Sequence, residues 1–585
     1  ISCNEVFNKI KENIKNNKNY LNSLIEKYLL NNNSRICLTV IPDKKYNKKF
    51  DKILKNKIDL ICKSVPKKER KSFFEKIKTD TKKLNEFQKT PETPENCNLI
   101  PHLTSKDIKV KFEKSTIEKS EILGVDIYEN KENVNGIVYI NLCFPIDLLE
   151  PKDYFFLSFY ADVLTNLGFD GKSWIESSLI STKCTGDFTS TIINSSCPKS
   201  FYEKIGCKDL KDAQLMEYLY KYDPNIARNW LVVRIKMLEE KTEEAVKMLF
   251  SAIKTVDFSD TERLSDLLTE YTNDLCSSIT SMGYNYPSMR ASCKMSKNNA
   301  IDEILCGVSQ LFAIKSQDFS KQNIKALQSK LEQIHKTIID SGFIVHLVAE
   351  ESGLEKAKSC MKQQIQEFPC YKGKVKPPFM CSDDEFYKLT EIQGDSEQLE
   401  HFVFPTQVGI YAQAFSTSLT DVKSNVYTSL FAHWLSNTVL WEQLRTIGGC
   451  YGAHSSFDMQ DNVFNISTYR DPNPYKSKEI VKNIFENIDN WGIDETEFER
   501  IKTGFYSKIT QPKSPSAKGF IQFRKILYGV DDEYRFNNTK LVLEATVDNL
   551  VCNAKSICQD SKTSKSAIIF TKNEDFTSKF INLPL

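Results

Sequence analysis

Histidine is scarce in this sequence, with six residues among 585. The six are His102, His335, His346, His401, His433 and His454. None has a second histidine four residues later with a glutamate directly before it, as in H-x-x-E-H. A hydrolytic zinc site needs three protein ligands and an open position for water. No such set can be named here, so we expect this chain to hold no catalytic metal ion.

Paired cysteine motifs are also absent. The 17 cysteines are scattered along the chain, and no two have the C-x-x-C spacing of a zinc ribbon or a redox dithiol. We therefore expect reduced, mostly buried thiols, as in a cytosolic or organellar-matrix protein.

Neither a dominant charge nor a long apolar run is present. The 79 basic and 77 acidic residues leave a net charge of +2, which gives no global field for nucleic acid or an anionic membrane. The longest apolar stretches are interrupted by Asn, Asp or Pro well short of a bilayer span. The sequence therefore predicts a globular chain that binds neither nucleic acid nor membrane.

The chain is long enough for several domains, and one order of elements occurs twice. A length of 585 residues suggests two to four domains. A lag of about 270 residues between the two copies suits duplicated domains. The predicted fold class is α+β, with two homologous domains, each an antiparallel or mixed sheet covered by helices. The paired elements are strands near Ile137 and Ile410, helices near Phe159 and His433, and strand openings at residues 184–186 and 450–452.

A lysine-rich segment precedes the repeat. Residues 44–89 interleave lysines with acidic and apolar residues at helical spacing, which is typical of solvated helical faces. We predict an antiparallel helical hairpin over residues 50–90. Residues 1–42 are expected to form a helix followed by a strand at Ile36–Ile41.

The segment from Trp441 to Ala453 places an arginine and a tyrosine on either side of a Gly-Gly break. Apolar residues before it have helical spacing, whereas those after it alternate like a strand hairpin. Arg445 is therefore predicted in a last helical turn and Tyr451 at the start of a strand, with Gly448 and Gly449 between them. An arginine fork and a tyrosine hydroxyl could act on one ligand. The alternative is structural, because helix ends favour arginine and Gly-Gly, and strands favour tyrosine.

A family resemblance is carried by residues 436–474, SNTVLWEQLRTIGGCYGAHSSFDMQDNVFNISTYRDPNP. This segment resembles the carboxy-terminal half of the presequence-protease and falcilysin branch of the pitrilysin-insulysin zinc metallopeptidases. The branch pattern is approximately S-N-T-x-L-W-x-x-[LV]-R-x-x-G-G-A-Y-G followed by Y-R-D-P-N, and Cys450 replaces its usual alanine. Residues 195–340 show little similarity. Further segments that agree in order and spacing are residues 24–32, 88–95, 100–103 and 404–408.

The resemblance implies a clamshell of two homologous halves. The amino-terminal half carries zinc on an inverted H-x-x-E-H helix, and the carboxy-terminal half closes over the substrate. Arg445 and Tyr451 match the arginine and tyrosine that the second half extends into the active site, with Gly448 and Gly449 on the substrate side. Zinc would then be bound by the missing amino-terminal half. At the equivalent place this chain has Phe159–Val163 (FYADV), which predicts a degenerate, packed helix.

The resemblance also implies a domain map. Residues 1–45 would end the preceding catalytic half, and residues 46–98 would form the helical-hairpin linker. Residues 99–370 would form a first degenerate peptidase-like domain. Residues 371–585 would form a second, which carries the Arg445 and Tyr451 motif.

Two functions remain open from the sequence. The first is the non-zinc-binding half of a zinc metalloendopeptidase that degrades short unstructured peptides, closes the chamber and stabilises the transition state. Its partners would be an amino-terminal catalytic half and a peptide, in an organellar matrix or the cytoplasm. The second is a catalytically inactive scaffold or partner subunit of a processing-peptidase-like complex. The pair Arg445 and Tyr451 favours the first, since a scaffold has no physical need for it.

Overall fold

The chain divides into two compact units, residues 1–102 and residues 103–585. The computed structural model describes most of both units. None of the described helices is long and apolar enough to cross a membrane. The described residues are 3–43, 45–90, 92–97, 99–111, 114–281, 284–315, 323–369, 374–392, 398–488, 491–572 and 580–584.

The described part of the first unit is helical. Its α-helices are α1 Cys3–Asn16, α2 Tyr20–Ile25, α3 Tyr46–Ser64, α4 Arg70–Lys89 and α5 Pro94–Cys97. A π-helical turn, Glu26–Leu30, continues α2. Helices α3 and α4 occupy the segment for which the sequence predicts a hairpin, and their antiparallel packing stays a prediction.

The strand predicted at Ile36–Ile41 is wrong. Residues 34–43 have no regular secondary structure, and the side chains of Ile36 and Val40 are 95% and 82% exposed. A β-strand needs a neighbouring strand for stability, and the described residues of this unit contain none. Local β-propensity was therefore not sufficient to form a strand here.

The second unit begins with a mixed sheet of six described strands. They lie in the order β1-β2-β6-β3-β5-β4, counted along the chain, and the second and sixth strands pair in parallel. The strands are β1 Ile117–Ile122, β2 Val125–Lys131, β3 Ile137–Pro145, β4 Asp187–Ile193, β5 Trp230–Leu238 and β6 Ile344–Ala349. The helices between and after them are α6 Tyr154–Leu164, α7 Trp174–Cys184, α8 Lys199–Lys204, α9 Asp212–Tyr222, α10 Thr242–Thr255, α11 Thr261–Ser281, α12 Asn285–Ser292, α13 Lys297–Cys306, α14 Val308–Ile314, α15 Ile324–Ile339, α16 Glu351–Glu367 and α17 Asp383–Leu389.

A second sheet of six described strands follows. Its order is β12-β7-β11-β8-β10-β9, again counted along the chain. The strands are β7 Leu399–Val403, β8 Ile410–Ser416, β9 Gly452–Asp458, β10 Val463–Tyr469, β11 Lys565–Phe570 and β12 Phe580–Asn582. The helices are α18 Val422–Asn437, α19 Pro474–Glu486, α20 Glu495–Ile509, α21 Pro515–Leu527, α22 Asp532–Glu544 and α23 Val547–Asp560.

Five strands of the two sheets follow the same path. β2 to β6 correspond to β7 to β11, because in both sets the first strand pairs in parallel with the fifth, which is followed by the second, fourth and third. Helices α6 and α18 come after the equivalent strands β3 and β8. The sixth strands differ, since β1 is antiparallel to β2 and β12 is parallel to β7. The predicted α+β fold with an internal repeat is confirmed.

One face of each sheet packs on helices of its own repeat. In the first repeat, Val138, Ile140 and Leu142 of β3 are buried against α6, α10, α15 and α16. In the second repeat, Tyr411 and Phe415 of β8 are buried with α18, α19 and α23. The alternating residues of β3 and β8 therefore point to two different cores.

The other face of each sheet is covered by a helix of the opposite repeat. Phe523 and Leu527 of α21 pack on the first sheet beside Trp230 of β5. Tyr286 and Ala291 of α12 pack on the second sheet. This exchange is reciprocal, because α12 lies between β5 and β6 and α21 lies between the equivalent strands β10 and β11. Each repeat thus completes the core of the other.

A buried ion pair fixes α12 to the second sheet. Arg290 donates one hydrogen bond to each carboxylate oxygen of Glu400, both at 2.7 Å. The two side chains are 1% and 10% exposed. The Arg290 guanidinium also lies 3.5 Å from the carboxylate of Glu303 in α13. Removal of one partner would leave buried charge without compensation.

Candidate functional site

Arg445 lies in a π-helical turn, Trp441–Ile447. The turn is closed by hydrogen bonds from the Gly449 N–H to the Arg445 carbonyl and from the Cys450 N–H to the Leu444 carbonyl, at 3.1 and 3.0 Å. The Arg445 guanidinium carbon lies 3.7 Å from the centre of the Trp441 ring. This cation–π contact orients a half-buried guanidinium. The predicted last helical turn is therefore a π-helical turn, which is frequent at functional sites.

The two glycines after this turn are required by the backbone. A Cβ atom on Gly448 would lie 2.5 Å from the Leu444 carbonyl oxygen, so no side chain fits there. Gly449 has a φ of +83°, which is strained for any other residue. Their geometry reverses the chain between Arg445 and Tyr451. A substrate-binding role for Gly448 and Gly449 stays a prediction.

Tyr451 directly precedes β9. Its N–H donates to the carbonyl of Tyr469 in β10 at 3.1 Å, and its ring meets the Tyr469 ring edge-on with centres 5.9 Å apart. The side chain is nevertheless 64% exposed. Tyr451 is thus held at its base and on one ring face, while most of its surface is open to a partner or ligand.

Arg470 belongs to the same cluster, and the sequence interpretation gave it no role. Its guanidinium carbon lies 5.7 Å from the centre of the Tyr451 ring and 5.4 Å from that of Tyr469. The residue has a φ of +47°, an uncommon conformation for arginine that occurs most often at functional sites. Arg470 stands in the Y-R-D-P-N segment quoted above, so the motif did contain the signal.

The surroundings of Arg445 are cationic. His454, on β9, has a lowered pKa, first because of its partial burial and then because of the charges of Lys508 and Arg445. Partial burial and Lys508 also lower the pKa of His433 in α18 to about 4. Both imidazoles are therefore neutral near pH 7, and the local positive charge comes from Arg445, Arg470 and Lys508. Such a surface favours anionic or carbonyl-rich ligands.

The residues of this chain do not fit a zinc site. Among the described residues, no group of three or more His, Cys, Asp or Glu side chains is placed to hold a metal ion. The segment equivalent to a zinc helix lies in α6, where Phe159 and Tyr160 are fully buried in the first core. Asp162 is half-buried and accepts a hydrogen bond from Asn166 at 3.2 Å. As expected from the sequence, α6 is a packed helix.

Two family models match most of the second unit and part of the first. The model for the domain associated with peptidase M16, subfamily C, matches residues 40–207 and 217–317. The model described as "PreP C-terminal domain" matches residues 399–580, which include the whole Arg445 and Tyr451 turn. The chain belongs to the M16 peptidases, as a carboxy-terminal half of the presequence-protease type. M16 peptidases are zinc-dependent metallopeptidases.

Curated relatives match over nearly the whole chain at low identity. Presequence protease 1 of Arabidopsis thaliana, chloroplastic/mitochondrial, is 21% identical over 91% of this chain and 46% of its own length. The mitochondrial presequence protease of Schizosaccharomyces pombe is 22% identical over 94% of this chain and 51% of its own length. Protein HypA of Clostridium perfringens is 24% identical, with shares of 91% and 50%. The chain therefore spans about half the length of the curated relatives that it matches.

Solved structures share the fold. The M16 peptidase inactive domain from Pseudomonas fluorescens superposes with a TM-score of 0.51 at 13% identity, covering 79% of this chain and 100% of the other. A protease from Helicobacter pylori gives a TM-score of 0.51 at 13% identity, with 78% and 99% covered. At this identity the likeness supports the duplicated architecture.

Proposed function

We propose that this chain is the substrate-closing, non-zinc-binding half of a zinc metalloendopeptidase that degrades short unstructured peptides. The observation that carries the proposal is the turn that presents Arg445 and Tyr451, each held by an aromatic or cationic neighbour. The catalytic zinc would belong to a separate amino-terminal half, since no described residues here form a metal site. The names of the presequence-protease relatives suggest targeting peptides as substrates.

Tyr451 is suited to act on the transition state. Addition of water to a peptide carbonyl produces a tetrahedral oxyanion, and a phenol can donate a hydrogen bond to it without changing its own charge. The ring is restrained by Tyr469 and Arg470, so the hydroxyl needs little reorganisation. Arg445 would fix the substrate backbone, because its planar fork can bind carbonyl or carboxylate oxygens at two points.

The surface around this pair is suited to face a partner. Trp441, Ile447 and Tyr451 are 48%, 64% and 64% exposed, although all three are large apolar or aromatic residues. Clustered exposed residues of this kind mark interaction surfaces. On this proposal, closure of the amino-terminal half covers them and excludes water from Tyr451, which strengthens its hydrogen bond to the oxyanion.

The substrate class follows from the accessible strand beside the pair. Among the described strands, β9 pairs with β10 alone and is an edge of the second sheet. An extended peptide can add to such an edge through its main chain, whereas a folded protein cannot. Short unstructured peptides are therefore the substrates that this surface would accept.

The test is kinetic and uses the complete two-half enzyme with a fluorogenic peptide. Tyr451→Phe should lower kcat by roughly a hundredfold with unchanged thermal stability, since an oxyanion donor contributes about 3 kcal/mol. Arg445→Lys should also lower kcat/KM, because a point charge does not reproduce the fork. The matched control is Tyr222→Phe, an exposed tyrosine of α9, which should retain full activity.

Two results would contradict the proposal. Near-normal turnover of both Tyr451→Phe and Arg445→Lys would leave the pair structural and favour the inactive scaffold. Peptide cleavage by this chain alone, blocked by a chelator and accompanied by one tightly bound zinc, would show that the chain carries its own metal site.

A further inference from the structure

A cavity of about 740 Å³ lies on the helical face of the second sheet. Its floor is formed by Leu399 of β7, Tyr411 and Gln413 of β8 and Ser566 of β11. Helices α19 and α23 form its walls. The volume is in the range of small-molecule sites, roughly 300 to 1,000 Å³. The cavity lies on the opposite side of β8 from α12 and is lined by none of the residues of the Arg445 and Tyr451 turn.

The internal repeat explains why this space is open. In the first repeat, α16 follows β6 and packs on β2, β3, β6 and α10. The cavity is lined by the equivalents of these four elements, namely β7, β8, β11 and α19. Among the described residues, no α-helix follows β11. The cavity is therefore the position that α16 fills in the first repeat.

The floor has become polar where α16 is replaced by open space. In the first repeat, the floor residues Val138 and Ile140 of β3 are apolar and buried under the helices. In the second repeat, their counterparts on β8 are Tyr411 and Gln413. The Tyr411 hydroxyl donates to the Gln413 side-chain oxygen at 2.7 Å, and Gln413 donates to Ser564 at 2.7 Å. A polar floor disfavours an apolar helix face and suits a polar ligand.

Four lysines surround this floor, namely Lys478, Lys482, Lys555 and Lys562, whereas Glu486 is the acidic residue among the lining side chains. Lys478 and Lys482 lie 3.3 and 3.9 Å from exposed glutamates of α19. Exposed pairs of this kind contribute little and exchange readily for a better anion. The excess of positive charge over a polar floor selects against neutral and cationic ligands.

We propose that this cavity is a binding site for a small organic or inorganic polyanion, bearing carboxylates or phosphates. The lysines of α19 and α23 bind its charged groups from two sides, and the Gln413 and Ser564 side chains provide hydrogen bonds at the floor. Phe485 offers an apolar wall for the rest of the ligand. The site is independent of the proposed peptidase function.

The experiment is calorimetric titration of the purified 585-residue chain with citrate and, separately, with inorganic pyrophosphate at fixed ionic strength. At least one anion should bind with one-to-one stoichiometry, and the comparison of the two distinguishes carboxylate from phosphate recognition. The double variant Lys478→Gln/Lys555→Gln should weaken that binding by about tenfold or more, because charged hydrogen bonds are lost from both walls.

The matched control is Lys513→Gln/Lys540→Gln, which removes the same charge from exposed positions of the same unit outside the cavity. Its affinity should equal that of the unmodified chain. An equal loss of affinity in this control would show general attraction of anions and overturn the site. Absence of saturable binding of either anion at millimolar concentration would overturn it as well. Thermal unfolding of both variants verifies that they are folded.

Discussion

At the Gly448–Gly449 turn, the backbone makes different demands of two neighbouring residues. Gly448→Ala should cost about 2 kcal/mol or more, since the new Cβ would lie 2.5 Å from the Leu444 carbonyl oxygen. Gly449→Ala should cost about 1 kcal/mol, because its φ is positive while the nearest atom to a Cβ is 3.6 Å away. Urea denaturation measures both values. Gly492→Ala is the control, because no described atom lies within 4 Å of its Cβ. The prediction is contradicted if Gly448→Ala is as neutral as this control.

The residues of the candidate site were predictable only where the signal is local in sequence. Arg445 and Tyr451 stand on either side of a Gly-Gly break, so their placement at the end of a helix and the start of a strand followed from the spacing. Their neighbours did not follow from it. Arg470 contacts Tyr451 because β10 pairs with β9 across a hairpin, and its left-handed backbone cannot be read from the residue type.

Among the secondary structure elements, α12 is held most strongly by charge. Arg290→Ala should destabilise the protein by about 3 to 5 kcal/mol, because Glu400 and Glu303 would lose their buried counter-charge. Lys540→Ala is the matched control, since its pair with Glu544 is 57% exposed on both sides and should contribute less than about 0.5 kcal/mol. Chemical denaturation measures the free energy of unfolding of both variants. Similar losses in the two variants would contradict the buried network.

The elements show which parts of a fold are visible in a sequence. Strand β3, helix α6 and the β9–β10 hairpin were predicted because their apolar periodicity is local. The strand at Ile36–Ile41 was not formed because pairing depends on a neighbouring strand, which no local pattern reports. The role of α12 was also invisible, since it lies in the region of weak resemblance, and its apolar residues pack on a sheet more than a hundred positions away in the chain.

For the molecule as a whole, the two repeats also meet at the tip of the β9–β10 hairpin. Asp461 accepts hydrogen bonds from Ser196 and Asn298 of the first repeat at 2.6 and 3.4 Å. Burial, and then the charge of Asp458, raise the pKa of Asp461 to about 6. Burial also raises the pKa of the neighbouring Asp302 to about 6. The contact between the repeats is therefore formed by acceptors that are costly to ionise.

The sign of the pH effect follows from these raised pKa values. An unfolded aspartate titrates near pH 3.9, so the protonated Asp461 contributes stability that is complete below that value and is lost as the pH rises through about 6. Asp461→Asn keeps the acceptor oxygen and removes the charge. We expect it to raise the free energy of unfolding by about 1 to 2 kcal/mol at pH 8 and to leave it unchanged near pH 4. Urea denaturation at both pH values measures this, with Asp209→Asn on an exposed turn as the control for the same chemical change. An equal gain at both pH values would mean that the carboxylate charge does not oppose docking of the two repeats.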